Sequence, residues 1–271
     1  MILVNGRETD QLPVADRGLQ YGDGLFETLM VRDARPLHWE RHLARLTADC
    51  TRLAIPAPDP DRLRREAAQV CQDAAAGTLK ILVTRGAGER GYRPPPPSAG
   101  VQATRILALY PAPAYPEAHR REGVVTRICA TRLGINPALA GIKHLNRLEQ
   151  VLARAEWDDP AIPEGLMLDL HGRVVEGTMS NLFLVRDGTL ITPDLARCGV
   201  AGVVRAIILE QAAARGIPCQ VRDVAAEELT GAEEIFLCNS LIGIWPVCRI
   251  DRHTYTSRSL TLRLAEWLTL V

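Results

Sequence analysis

In the stretch Gly141-Ile142-Lys143-His144-Leu145-Asn146-Arg147-Leu148-Glu149-Gln150, one lysine stands between an apolar loop (Ala138, Leu139, Ala140, Ile142) and a periodic segment. Leu145, Leu148, Leu152 and Ala155 recur at three- and four-residue steps, so the spacing predicts a helix with these residues on one buried stripe and Lys143 at its entrance. A cation gains nothing from that end of a helix dipole. Apolar surroundings also lower an amine's pKa, and a neutral amine is the nucleophile that forms Schiff bases. The plain alternative is a surface lysine with its stem laid on the protein. Scarcity argues against it: Lys80 and Lys143 are the only lysines among 32 basic residues.

Lys+Arg and Asp+Glu balance at 32 each. That balance leaves no electrostatic footprint for nucleic acid and no polybasic patch for a membrane, so an anionic substrate must be met by local arginines. The seven cysteines are scattered, with no C-x-x-C pair. Most lie in apolar runs, which suggests buried thiols in a reducing compartment, and no metal site is expected. The opening Met1-Ile2-Leu3-Val4-Asn5-Gly6 has no signal-peptide pattern, and no apolar run reaches the roughly 20 residues that span a bilayer. A cytoplasmic protein is expected.

The 271 residues allow two moderate domains. A short strand closed by Asn5-Gly6 leads to a glycine-rich loop, residues 14–24, feeding a strand over Leu25 to Val31 in which Phe26 and Thr28 share one face and Leu25, Glu27 and Leu29 the other. Helices are expected over Glu40 to Leu53, with Arg41, Arg45 and Arg52 at solvated positions, and over Arg62 to Ala76, ended by Gly77. A strand over Leu79 to Thr84 runs into Arg85-Gly86-Ala87-Gly88-Glu89-Arg90-Gly91-Tyr92-Arg93 and four prolines, Pro94 to Pro97. Three arginines and a tyrosine on a glycine hinge suit a lid or an anion-binding loop. After the strand Val101 to Tyr110, the proline-rich run from Pro111 marks a boundary: an N-terminal α+β domain over 1–110, a linker over 111–122 and a C-terminal domain over 123–271. There the pattern predicts a meander over 166–191, a helix over Val203 to Ala214, a short helix over Ala226 to Leu229, further strands and a terminal helix over Arg258 to Leu270. Strands and helices mix without βαβ alternation, so the class is α+β or irregular α/β rather than a doubly wound sheet.

Two further features suit the chemistry of a Schiff-base lysine. Pyridoxal phosphate needs a carboxylate to hold its ring nitrogen protonated and donors for its phosphate. Glu176 is a lone carboxylate in the apolar stretch 174–183, and Gly199-Val200-Ala201-Gly202-Val203-Val204-Arg205 leads into a helix whose first N–H groups could meet an anion. No nucleotide P-loop pattern is present.

Several motifs, taken in order, resemble the fold-type IV pyridoxal phosphate enzymes: Asp16-Arg17-Gly18 with Tyr21-Gly22-Asp23-Gly24-Leu25-Phe26-Glu27, His42-Leu43-Ala44-Arg45-Leu46, Lys143-His144-Leu145-Asn146, Glu176-Gly177-Thr178-Met179-Ser180-Asn181 and Gly202-Val203-Val204-Arg205. That group comprises branched-chain and D-amino-acid aminotransferases and aminodeoxychorismate lyases. The strings 140–150, 85–92 and 238–247 look like the lyases in particular. The resemblance implies a two-domain fold with a barrel-like sheet in the larger C-terminal domain. It implies Lys143 as the Schiff-base lysine and proton shuttle, Glu176 as partner of the pyridine nitrogen and Arg45 as a phosphate ligand. Val203 and Val204 would offer backbone N–H groups and Ser240 its hydroxyl to the phosphate, with Val200 beneath the ring. Aminotransferases of the group carry threonine where Val204 and Ser240 stand, and a Thr-Pro run where this chain has Trp245-Pro246. The implied substrate is 4-amino-4-deoxychorismate, converted to 4-aminobenzoate and pyruvate as a folate-precursor step. The second proton would come from Lys143 or from a hydroxyl, with Thr28 the candidate; Arg90 and Tyr92 would be the carboxylate clamp, Phe26 and Asn146 further substrate contacts, and a homodimer the assembly.

Overall fold

The computed structural model describes residues 1–96 and 100–269. Pro97 of the proline run and Leu270 of the expected last helix lie outside the described residues. The chain divides into two compact units: Met1–Ala114 together with Lys143–Asn146, and Tyr115–Ile142 together with Arg147 onward.

The first unit contains β1 (Ile2–Val4), β2 (Arg7–Glu8), α1 (Arg17–Tyr21), β3 (Gly24–Arg32), β4 (Arg35–Pro36), α2 (Trp39–Arg52), α3 (Pro60–Cys71), β5 (Ala76–Thr84) and β6 (Thr104–Tyr110). Its six strands form one sheet in the order β2-β1-β6-β5-β3-β4, every pair antiparallel. β3 alternates as expected: Leu25, Glu27, Leu29 and Val31 are buried, while Phe26, Thr28 and Met30 are half-buried on the other face. α2 packs on β3 and buries His42, Leu46, Asp49 and Cys50.

Two expectations are corrected here. The glycine-rich segment holds a short helix, because the Asp16 side chain accepts from Gly18 N–H and caps α1, while Gly22, at φ +65°, ends it. The helix expected over Arg62 to Ala76 stops at Cys71, with Asp59 as its cap and Pro60 in its first turn, and Gly77 belongs to β5. A Cβ on Gly77 would lie 2.8 Å from Leu109 Cδ1 and 3.2 Å from Tyr110 O, so this glycine serves strand packing and not helix termination.

The second unit contains α4 (Ala118–Arg121), β7 (Val124–Leu133), α5 (Leu148–Arg154), β8 (Glu164–Asp169), β9 (Val174–Gly177), β10 (Asn181–Arg186), β11 (Thr189–Pro193), α6 (Val203–Ala214), β12 (Cys219–Arg222), a 3₁₀ turn (Ala226–Gly231), β13 (Glu234–Asn239), β14 (Gly243–Ile250), β15 (His253–Thr254) and α7 (Ser259–Thr269). The sheet runs β12-β11-β10-β13-β14-β7-β8-β9, with β15 on β14. Three pairs are parallel: β11 with β12, β14 with β7 and β7 with β8. Although β9 ends the order, it contacts β10 and β11, so the sheet curls into a half-barrel. Leu182 and Leu184 of β10 enter one apolar cluster with Leu237 and Trp245, while Phe183 and Val185 enter another with Phe236, Val204 and Ile208. Burial on both faces is why β10 reads as an unbroken apolar run.

The stripe expected after Lys143 is also corrected. Helix α5 begins only at Leu148, where Leu148 and Leu152 are 76% and 61% exposed and Ala153 alone is buried. Residues 143–146 instead run as non-helical chain in the first unit, with His144 bridged to Leu25 and a bend at Leu145. A helical period was present, but it began later and faced outward. Lys143 therefore does not stand at a helix N-terminus, and the dipole reasoning for it falls away.

No described helix is long and apolar enough to cross a membrane. The seven cysteines are all free, five of them buried. Burial pushes Cys50, Cys129 and Cys238 up to about 12 and Cys71 and Cys198 up to about 11, so these thiols stay protonated and inert.

Candidate active site

In the first unit the backbone of Lys143 is held at both ends. Its N–H donates to Asp49 Oδ2 at 3.1 Å, and its carbonyl accepts from Phe26 N–H at 3.0 Å. The side-chain Nζ lies 4.2 Å from the centroid of the Phe26 ring. Lys80, paired with Thr28 across the β3–β5 ladder, places its own Nζ 5.6 Å from the same ring. Both lysines of the chain thus lie near one aromatic ring, with Thr28 paired to Lys80 on the neighbouring strand. Burial pushes the Asp49 carboxyl up, against the pull of the Lys143 N–H and the Arg45 charge.

Arg45 was expected at a solvated position, and the structure corrects this. Its Nε donates to Glu27 Oε1 at 2.8 Å and its Nη2 to Glu27 Oε2, while His42 Nδ1 donates to the same Oε2 at 2.6 Å. Burial acts to raise the Glu27 carboxyl, but the bonds from His42 and Arg45 outweigh it and hold the group below the usual carboxylate range. The pairing fixes Arg45 along the strand that carries Phe26 and Thr28.

The 85–93 loop is anchored through its backbone. Arg17 donates from Nη1 to Gly91 O at 2.9 Å and from Nη2 to Tyr92 O at 3.0 Å, and Gly91 N–H donates to the Tyr21 hydroxyl at 2.9 Å. Arg17 and Arg85 both pair with Asp23. Arg90 and Tyr92 are left with exposed side chains, Tyr92 at 86%. Asn146 donates from Nδ2 to Gly22 O at 3.1 Å, which ties the end of the Lys143 segment to the turn after α1.

In the second unit, Glu176 is 4% exposed on β9 and its Oε2 accepts from Val200 N–H at 2.8 Å. Asn181 brackets the same loop: its Nδ2 donates to Val200 O at 2.8 Å and its Oδ1 accepts from Gly202 N–H at 3.1 Å. Helix α6 starts at Val203 with no side-chain cap and no acidic residue in its first turn. A Cβ on Gly202 would lie 2.1 Å from Asn181 Oδ1, so only glycine lets the chain pass there. Arg205 points away, donating to Thr192 Oγ1 and Pro193 O. Ser240 sits on the turn after β13, where Asn239 Oδ1 accepts from Leu241 and Ile242 N–H at 2.8 and 2.9 Å. This donor set fits a phosphorylated pyridine: an uncapped helix start for the phosphate and a buried carboxylate for a ring nitrogen.

A family model described as amino-transferase class IV matches residues 24–250. The chain belongs to that family. It is 41% identical to an aminodeoxychorismate lyase of Vibrio harveyi over 93% of this chain and 92% of that protein. The crystal structure of 4-amino-4-deoxychorismate lyase from Pseudomonas aeruginosa superposes with a TM-score of 0.94 at 55% identity, covering 99% of this chain and 98% of that one. A branched-chain amino acid aminotransferase of Escherichia coli shares the fold at a TM-score of 0.84 and 25% identity, over 98% and 93% of the two chains. The mixed fold is that of the fold-type IV enzymes.

Sequence reasoning about this family member passed over Asp49, Glu27, His42 and Asn181. Asn181, Glu27 and His42 all stood inside the family motifs, His42 three residues before Arg45, but carried no role there. Asp49, 94 residues from its partner, gave none.

Proposed function

We propose that this chain is a pyridoxal phosphate-dependent lyase that converts 4-amino-4-deoxychorismate to 4-aminobenzoate and pyruvate, a step toward folate. The observation that carries this reading is the near full-length likeness to lyases of that name, at 41% and 55% identity. The family cofactor supplies an electron sink for the pair released when substrate C4 loses its proton.

Lys143 Nζ would hold the cofactor and would take the proton from substrate C4. Its backbone bonds to Asp49 and Phe26 support that role, since a base that shuttles between two positions needs a fixed stem. Breaking of the C3–O bond releases enolpyruvate and leaves the ring aromatic. The proton for the enolpyruvyl methylene, completing pyruvate, comes from Lys143 itself or from the Thr28 hydroxyl, which Lys143 then re-protonates. Glu176 would hold the pyridine nitrogen. The Val203 and Val204 N–H groups, the Ser240 hydroxyl and Arg45 would hold the phosphate, and Val200 would line the ring site. Arg90 and Tyr92 clamp a substrate carboxylate, with Phe26 and Asn146 as further contacts.

The chain works as a homodimer in the cytoplasm. Supporting the dimer, Leu148, Val151 and Leu152 form an exposed apolar stripe on α5. Seven free cysteines suit a reducing compartment. The deciding assay incubates the purified holoprotein with 4-amino-4-deoxychorismate and no keto acid. Formation of 4-aminobenzoate is expected. A strict requirement for 2-oxoglutarate would replace the reading with the aminotransferase chemistry of the wider family.

A further inference from the structure

Glu164, at the start of β8, is fully buried, yet its carboxylate is surrounded by donors. Oε1 accepts from Gly165 N–H at 2.9 Å, Thr178 N–H at 3.0 Å and the Thr178 hydroxyl; Oε2 accepts from Met179 N–H at 3.1 Å and the Ser180 hydroxyl at 2.8 Å. Four of these five donors belong to Thr178-Met179-Ser180, the turn between β9 and β10. Burial pushes the carboxyl up, and the bonds from the Thr178 and Ser180 hydroxyls and the Gly165 and Met179 N–H groups oppose that push. Gly177, the residue before the turn, has room for no side chain: a Cβ would lie 2.3 Å from Ser180 Oγ and 2.9 Å from the Glu164 carboxyl.

This turn touches each part of the second unit that the proposed function assigns to the cofactor. Glu176 precedes it by two residues, and its carboxylate takes Val200 N–H. Asn181 follows it and holds both Val200 O and Gly202 N–H at the start of α6. The carbonyl of Met179, at the turn's middle, accepts from Asn239 Nδ2 at 3.0 Å, and Asn239 shapes the turn carrying Ser240. A hydrophobic residue at 164 would leave three backbone N–H groups without these acceptors, that of Gly165 in a buried bond and those of Thr178 and Met179 in partly buried ones, which a fold does not tolerate cheaply.

We propose that Glu164 is a positioning residue for the cofactor: by gathering the 178–180 turn, it sets the ring-nitrogen carboxylate, the α6 anion site and the Ser240 turn in register with one another. It acts through that turn and touches no reacting atom. This inference rests on the cofactor roles proposed above for Glu176, the α6 start and Ser240.

The test is Glu164→Gln, which keeps the shape and removes the second acceptor. Whichever way the amide turns, its NH₂ faces at least one backbone N–H among Gly165, Thr178 and Met179, so the turn must move. Apoprotein is titrated with pyridoxal 5'-phosphate, following the visible absorption and circular dichroism of the lysine-bound cofactor. We expect at least a tenfold rise in Kd and a changed dichroic band. A Kd within twofold of wild type with an unchanged band, even if the apoprotein unfolds more easily, overturns the proposal. Should Glu164→Gln fail to fold, Ser180→Ala removes a single donor; a Kd raised about threefold is expected, and an unchanged Kd and band overturns the proposal equally. A wild-type protein that binds the cofactor but makes no 4-aminobenzoate would defeat the lyase assignment and leave this inference standing, because its readout is cofactor binding.

Discussion

Replacing Glu27 with glutamine tests whether a buried ion cluster fixes the Arg45 side chain. Glu27 receives three charge-assisted bonds, two from Arg45 and one from His42, with the carboxylate side chain 2% exposed and that of Arg45 13% exposed. Glutamine keeps one acceptor oxygen, so one or two of the three bonds are lost. Each is worth about 1.5–3 kcal/mol because a charge takes part. The guanidinium is also left in a low-dielectric site without its counter-ion, and removing one partner of a buried pair costs about 3–5 kcal/mol. We expect Glu27→Gln to destabilise the apoprotein by about 3 kcal/mol, read as the shift in urea midpoint, with faster hydrogen exchange in β3 and α2. The pH dependence has a definite sign. The folded-state pKa of Glu27 lies below its ordinary value of 4.5, so its contribution is complete above that value and is lost as pH falls through the folded pKa. The gap between wild type and variant should therefore be flat in neutral solution and shrink in acid. A loss under about 1 kcal/mol, or a gap unchanged in acid, would refute the reasoning, since it would mean the cluster is replaceable by neutral packing.

Other outcomes follow from the same geometry. Arg90→Ala should raise KM for the substrate at least tenfold while Arg93→Ala leaves it within threefold; equal effects in steady-state kinetics would remove the carboxylate assignment. Gly202→Ala should weaken cofactor binding by at least tenfold, because its Cβ falls 2.1 Å from an Asn181 oxygen that is already committed to Gly202 N–H; an unchanged Kd would show that the loop can yield. If the proposed homodimer forms through the exposed face of α5, Val151→Glu should convert it to monomer in analytical ultracentrifugation; an unaltered sedimentation coefficient would remove α5 as the contact.

Much of the local structure around the candidate site was visible as local pattern. The alternation in β3 set Phe26 and Thr28 on one face because a strand's side-chain period is two and allows no other arrangement. The Gly202 boundary marked the start of α6, where backbone donors are left over by helix geometry itself. Local pattern misled where two structures share one signal. Leu148 and Leu152 carry a helical period, but period does not say which way a helix faces. Gly77 looked like a helix stop and is a close-packing position in a strand, a distinction made by Leu109 and Tyr110, more than 30 residues away.

For Lys143 the amino-acid sequence was enough to single out the residue, from its rarity, its apolar approach and the motif around it. Its supposed place at a helix entrance was wrong, and the tertiary structure supplied what holds it: Asp49 from α2 on its N–H and Phe26 from β3 on its carbonyl. The same holds for Glu27 under Arg45 and for Glu164 under the 178–180 turn. Sequence determines side-chain chemistry and local backbone preference, both properties of neighbouring residues. Which buried carboxylate meets which donor depends on long-range pairing, since a charge is stable in the interior only where the fold brings its partners to it.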